Sequence, residues 1–316
     1  MKATKFLPLL LIAPLLAGCG KSVKAPKFAD LGSELEFAKF TEALEKANEE
    51  SALMKEDKLP SLTFSSEEKI LSSSKVTRHD VVTQETSRYY VDKEVYKTDT
   101  ANSLMEWDVK ETEDYATKDS GRVQKEKTRE NYVRLFQEAS IEDKKYCVKV
   151  NEKFKEYSKF TALEDEYKMA DLIDDYIKTE ILNEGSQLEY MMYMYAFASE
   201  EDQKDFKFYQ NGKVFTLVYE HKDENKETKD SEDKVLYVVN SHALSKIQVD
   251  VTDGNLKFTS YSESSSTTEY KKELQGHLAG EVYVEEGKSS KVSTAVYKEN
   301  KLKAVDLASF VEIQYL

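Results

Sequence analysis

Apolar and polar positions along this chain follow two periods, and the changes of period divide it into segments. Phe37, Phe40, Leu44 and Ala47 recur at helical spacing. Ser33 and Glu36 stand at capping-box spacing, so a helix is expected from Ser33 to about Met54, with Pro60 closing the connection. From Leu62 to Val109 the period becomes two. Tyr89, Val91 and Val95 fall on one face, Tyr90 and Tyr96 on the other with Asp92 and Glu94, and Met105, Trp107 and Val109 alternate in the same way. Such strands have one wet face and belong to antiparallel sheets. Residues 111–130 are strongly polar, with Gly121 as a break. Tyr132, Leu135, Phe136 and Ala139 then suit a short helix, and Tyr146, Val148 and Val150 return to strand spacing.

The middle of the chain reads as helical. Thr161 with Glu164, and Ser186 with Glu189, repeat the capping-box spacing. Leu163, Tyr167, Leu172, Ile173, Tyr176, Ile177 and Ile181 make an amphipathic helix, and Gly185 is placed to stop it. A second helix carries Leu188, Tyr190, Met191, Met192, Tyr193, Met194, Tyr195, Ala196 and Phe197. It is apolar nearly all round, which predicts enclosure by protein or ligand. From Phe206 onward a meander is expected. Asn211-Gly212 and Asp253-Gly254 sit between alternating runs as hairpin turns, and residues 220–233 form a charged tip. Further strands are expected near 235–239, 281–284, 293–297, 302–305 and 310–315.

Helix, strands, helices, strands is not the alternation of a doubly wound parallel sheet. The pattern predicts an α+β fold: a strongly curved antiparallel sheet, a half-open β-barrel, with the N-terminal helix and the mid-chain helices on its concave face. A single domain over 31–316 is expected, with two tandem helix-plus-sheet units, 31–160 and 161–316, as the competing layout. The element order resembles that of the LolA/LolB and LppX class of bacterial lipid carriers, in which helices plug the mouth of such a sheet. The resemblance covers roughly residues 31–316 and rests on no diagnostic motif.

The N-terminus changes the picture of compartment. Lys2 and Lys5 precede an apolar run from Phe6 to Leu16, followed by small residues, the layout of a secretory signal. The run is too short to span a bilayer, and Pro8 and Pro14 interrupt it. Leu16-Ala17-Gly18-Cys19 resembles the lipobox of bacterial lipoproteins. That resemblance implies cleavage after residue 18, diacylglycerol on the Cys19 sulfur, and a cell-envelope protein held on the extracytoplasmic face of a membrane. Two acyl chains hold firmly where one binds marginally. Residues 19–31 then read as a lipid-anchored linker with a weakly basic foot at Lys21, Lys24 and Lys27.

The chain carries a formal charge of −14, and loss of Lys2 and Lys5 with the leader makes the mature body more acidic still. Phosphates repel such a body, which argues against nucleic acid as a partner. Only Cys147 remains besides Cys19, so no internal disulfide supports the fold and Cys147 reads as a buried structural thiol. No phosphate loop, nucleophile elbow or zinc-type histidine pair is present, and His79, His221, His242 and His277 are scattered. Asp250, Asp253 and Gly254 lack the spacing of a calcium loop. No cofactor, metal or enzymatic activity is therefore expected.

One stretch offers chemistry beyond folding. Methionine and tyrosine together make adaptable apolar surface. Leu188, Tyr190, Met191, Met192, Met194, Tyr195 and Phe197 are the candidate lining of an apolar ligand cavity. Three functions follow as expectations: a non-catalytic carrier or receptor for a lipid or lipopeptide, a surface structural or interaction protein, and a solute-binding lipoprotein of a transporter. The last usually has two α/β lobes, which this element order does not suggest.

Overall fold

The structure is a computed structural model and describes residues 21–49, 61–164, 168–274 and 276–314. Leu16 to Cys19, Met54, Pro60, Tyr167 and Tyr315 lie outside the described residues.

The body is built on one antiparallel sheet. Its strands are β1 (Ser33–Leu35), β2 (Leu62–Arg78), β3 (Val81–Asp99), β4 (Leu104–Asp119), β5 (Arg122–Ile141), β6 (Lys144–Asn151), β7 (Glu156–Ala162), β8 (Phe206–Asn211), β9 (Val214–Lys229), β10 (Val235–Asp250), β11 (Leu256–Tyr270), β12 (Glu281–Tyr297) and β13 (Val311–Glu312). Their order is β1-β8-β9-β10-β11-β12-β2-β3-β4-β5-β6-β7-β13. The sheet does not close, and β1 and β13 are its edges. The chain fills one half, β2 to β7, and then the other, β8 to β12. The halves join where β12 pairs with β2 along its whole length, from Glu281–Arg78 to Tyr297–Leu62. All pairings are antiparallel except the short β7–β13 contact.

Among the described residues, two α-helices lie on one face, here called the front: α1 (Phe37–Glu49) and α2 (Met169–Phe197). Register carries a single front face across the sheet: Phe64, Tyr96, Trp107 and Arg134 stand side by side on β2 to β5. Ala295, Leu256, Phe258, Val249 and Phe215 continue it on β12 to β9. Two clusters form under the helices. The first gathers Leu62, Phe64, Tyr96, Met105, Phe136 and Cys147 against Met169, Ile173, Ile177 and Ile181. The second gathers Phe208, Phe215, Leu217, Ile247, Val249 and Phe258 against Phe40, Leu44 and Leu188. Both lie at the same end of the strands. Beyond them the 16- to 20-residue strands β2 to β5 run on with few buried side chains. That explains the polarity of 111–130: these residues are the far ends of β4 and β5, joined by a tight turn at Ser120-Gly121.

Several expectations are corrected. Residues 132–139 are strand, not helix. Leu135, Phe136 and Gln137 are all buried because both faces of β5 are covered here. Phe136 meets α2, while Leu135 meets Val148, Val150 and, from the C-terminal segment, Val305, Leu307 and Phe310. Adjacent apolar residues on a doubly covered strand imitate helical spacing. Gln137 fixes the cover, donating from Nε2 to the Val305 carbonyl and accepting from the Val305 N–H, both at 2.8 Å. Residues 302–305 are accordingly not a strand, and among the described residues 310–314 the strand is limited to Val311–Glu312.

Ser33 does not cap α1. It lies in β1, paired with Gln210 of β8, and α1 begins at Phe37. Thr161 lies within β7, paired with Cys147, and α2 starts at Met169, where Asp171 Oδ2 accepts the Lys168 N–H at 3.1 Å. Gly185 does not stop a helix, since α2 runs unbroken for 29 residues. Its cost, about 1 kcal/mol against alanine, is offset by packing on both sides. Residues 220–229 are strand, and the charged turn is limited to 230–234.

Candidate binding surface

The two halves of α2 serve different purposes. Met169, Ile173, Ile177 and Ile181 repeat every fourth residue and are sealed on the first cluster. Past Gly185 the inward stripe consists of Leu188, buried, and Met191, Met192 and Tyr195, partly buried on the second cluster. Tyr195 packs its ring 4.4 Å from Phe37 of α1 and 5.1 Å from Phe208. The outward stripe is also apolar. Tyr190, Tyr193, Met194 and Phe197 stand 59, 59, 44 and 75% exposed, at i, i+3, i+4 and i+7, with the Tyr193 and Phe197 rings 4.4 Å apart. Of the seven candidate lining residues, the structure thus places four against the core and three on the outer ridge. Tyr193, which was not singled out, completes the ridge. Its signal was legible in the spacing, which repeats on the outer face the stripe that packs inward.

Beside the first half of α2, the front face of β2 to β5 is aromatic and acidic. Trp107 stacks on Tyr96 at 5.6 Å and meets Tyr132 edge-on. The Arg134 guanidinium lies 4.1 Å from the Tyr132 ring centre and 5.4 Å from that of Trp107. One position further along the strands stand Glu94, Asp92, Glu111 and Glu68, adjacent by register. Burial, reinforced by the charge of Asp92, pushes the Glu94 carboxyl up to about 7. The Tyr96 hydroxyl donates to Glu94 Oε2 at 3.2 Å and offsets part of that rise. Burial and the charges of Glu111 and Glu68 raise Asp92 as well. Asp92 Oδ1, Trp107 Nε1 and Arg134 Nε are enclosed without a hydrogen-bond partner. This patch takes up a proton near neutrality and presents flat rings.

The histidines and the described cysteine sit in the fold as follows. His221 Nδ1 lies 2.6 Å from Asp205, His242 Nε2 3.1 Å from Glu220, and His277 Nδ1 2.6 Å from Glu281. His79 occupies the β2–β3 turn. Cys147 is fully buried, and burial pushes its thiol up to about 12. Among the described residues, no group of three or more His, Cys, Asp or Glu is placed to hold a metal ion. Nor is any helix long and apolar enough to cross a membrane.

No family model and no curated protein matches this chain. Among solved structures, it is similar at 7% identity to a chain described as the crystal structure of a Pseudomonas aeruginosa FadL homologue, with a TM-score of 0.14 over 75% of this chain and 90% of the other. So low a score carries no argument about fold or function.

Proposed function

We propose that this chain is a lipid-anchored, extracytoplasmic binding protein without catalytic chemistry, and that it engages its partner through the outer ridge of α2. The observation that carries this reading is the ridge itself. Four large apolar side chains share one exposed helical stripe, the pattern of a helix face that awaits cover. Such i, i+3, i+4, i+7 anchors suit a hydrophobic groove on a partner protein. The lipobox-like Leu16-Ala17-Gly18-Cys19 supports the anchoring part of this reading, and with it a cell-envelope location.

A second reading, a carrier of a lipid or lipopeptide, draws on a different observation. Met191, Met192 and Tyr195 pair with α1 over an open antiparallel sheet, and a strongly curved, half-barrel form of that sheet would match the LolA/LolB-like layout. Methionine-rich contacts repack readily around varied apolar ligands.

Site-specific photocrosslinking from position 193 in intact cells separates the two. The interaction reading expects a discrete protein adduct that disappears when Phe197→Asp is added. The carrier reading expects no such adduct, and a co-purified lipid mass in native mass spectrometry of the detergent-free body. A monomer carrying neither adduct nor lipid would overturn both. Anchoring is tested apart from them: palmitate label should enter the wild type and be absent from Cys19→Ala.

A further inference from the structure

The segment that leads from the anchor is not a free linker. Residues 21–30 cross the back of the sheet, opposite the helices. Lys21 pairs with Asp114 on β4 and lies 4.8 Å from the Tyr89 ring centre on β3. Val23 is buried. Phe28 lies under the Lys246 ammonium at 4.3 Å, and Ala29 exchanges hydrogen bonds with the Gln248 side chain, both on β10. Asn211 then reaches the Asp30 carbonyl, and β1 joins the edge. From β4 to β10 is five strand spacings, roughly 24 Å at about 4.8 Å each. Extended chain from Lys21 to Phe28 covers about that distance. The strap therefore bridges these five strand spacings, and its outward side chains include the exposed Lys24 and Lys27.

Where the strap starts matters, because Cys19 is two residues before Lys21 and within roughly 7 Å of it along the chain. Lipid on Cys19 would enter the bilayer directly over the back of β3 and β4. Register shows what charge is there. Lys93, Lys110, Lys118, Lys125, Lys127 and Arg129 all point to the back of β3 to β5. Basic side chains outnumber acidic ones on the back of β2 to β5, even though Glu67, Asp108 and Asp114 pair with some of them. On the front of the same strands the balance reverses, with Asp92, Glu94, Glu111, Glu113, Glu126 and Glu130 prevailing. A chain of net charge −14 thus carries a net basic sheet face beneath the start of the strap at Lys21. A cleft of about 240 Å³ beside Lys21, lined by Leu71, Tyr89, Asp114, Ala116 and Lys127, lies on this face.

We infer that the back of β2 to β5, with its strap, is a docking face for an anionic phospholipid surface, so that the body lies flat on the membrane with α2 turned outward. The inference rests on the anchoring reading for its geometry, and on charge complementarity for its partner. Positive side chains near an anionic leaflet each strengthen attachment, and the repelled acidic face is turned away.

The test is amine-reactive footprinting of the full chain, purified in its processed form and reconstituted on vesicles of pure zwitterionic lipid or with about one-third anionic lipid. Labelling of Lys118, Lys125 and Lys127 should fall at least fivefold on anionic vesicles relative to zwitterionic ones, and recover at high salt. Lys168 and Lys204, off this face, should keep their labelling. In a Lys118→Glu/Lys125→Glu/Lys127→Glu variant, protection of Lys110 and Lys93 should also be lost. Equal labelling of the back-face lysines on both vesicle types would overturn the proposal. Flotation with zwitterionic vesicles scores the anchor alone. If the protein stays in solution there, the anchoring reading fails, and salt-sensitive flotation with anionic vesicles still decides the docking face.

Discussion

Glu94 gives the sharpest quantitative test of the front-face patch. Its carboxyl is raised from 4.5 to about 7 by burial and by neighbouring acids, a penalty of roughly 1–2 kcal/mol on the charged form once solvent screening of this half-buried group is allowed for. The sign follows from proton counting. Between about pH 4.5 and 7 the unfolded chain has released this proton and the folded protein has kept it. The folded state binds more protons, so stability falls as pH rises through this window and levels off above it. Glu94→Gln removes the titration and keeps an acceptor for the Tyr96 hydroxyl. The variant should match the wild type near pH 4 and exceed it by roughly 1–2 kcal/mol at pH 8, with the gap opening between. Asp92, raised in the same direction, remains in both proteins and largely cancels from the difference. Urea unfolding at half-unit pH steps from 4 to 8 measures it directly. Parallel stability–pH curves for the two proteins, or a variant less stable at pH 8, would refute the argument that burial and like charge hold this proton.

Four other outcomes follow from the packing. Ile177→Ala, in the sealed stripe of α2, should cost about 2–4 kcal/mol in urea unfolding. Gly185→Ala should stabilise by about 1 kcal/mol, because an added Cβ meets nothing within 4 Å; destabilisation would mean that the helix breaks there. Asp143→Gly should stabilise by about 0.5–1 kcal/mol, since Glu142 and Asp143 hold φ of 53° and 63° in the β5–β6 turn, the left-handed region that glycine enters without penalty. Cys147 should resist a thiol reagent such as DTNB in the native protein and react fully in denaturant, because its buried thiol stays protonated; rapid native labelling would contradict the packing of the first cluster.

How much of this was legible in the sequence depends on whether a residue's neighbours are local. Tyr89 to Tyr96 split into two sets because successive strand side chains point to opposite faces, and Asn211-Gly212 marked its turn because Gly212 holds φ of 60° there. The turns at His79-Asp80 and Glu142-Asp143 have two residues of positive φ, yet carry no glycine or asparagine. Their conformation is imposed by the long strands they join. Leu135 and Phe136 read as helical because their covers, the C-terminal segment and α2, arrive from more than 30 residues away. Gly185 read as a stop because local propensity favours one, while the two clusters on either side hold the helix together.

The charge segregation shows the same division at the scale of the sheet. Along β4 alone, Asp108, Lys110, Glu111, Glu113, Asp114 and Lys118 look like an ordinary mixed and solvated strand. The segregation is a property of the register, which puts Lys110 beside Lys93 and Asn131 on the back, and Glu111 beside Asp92 and Glu130 on the front. A one-residue slip in any strand would exchange its faces and cancel the effect. The hydrophobic cluster at the helix-covered end fixes that register: Phe64, Tyr96, Met105 and Phe136 must all face α2. From there the pleat carries the assignment, residue by residue, to the far end of the sheet, where no core exists to set it. The core at one end therefore decides which charges lie on the proposed docking face at the other. A front-face substitution such as Tyr96→Ser, which weakens that cluster without touching a single lysine, should blur the contrast in lysine protection between vesicle types.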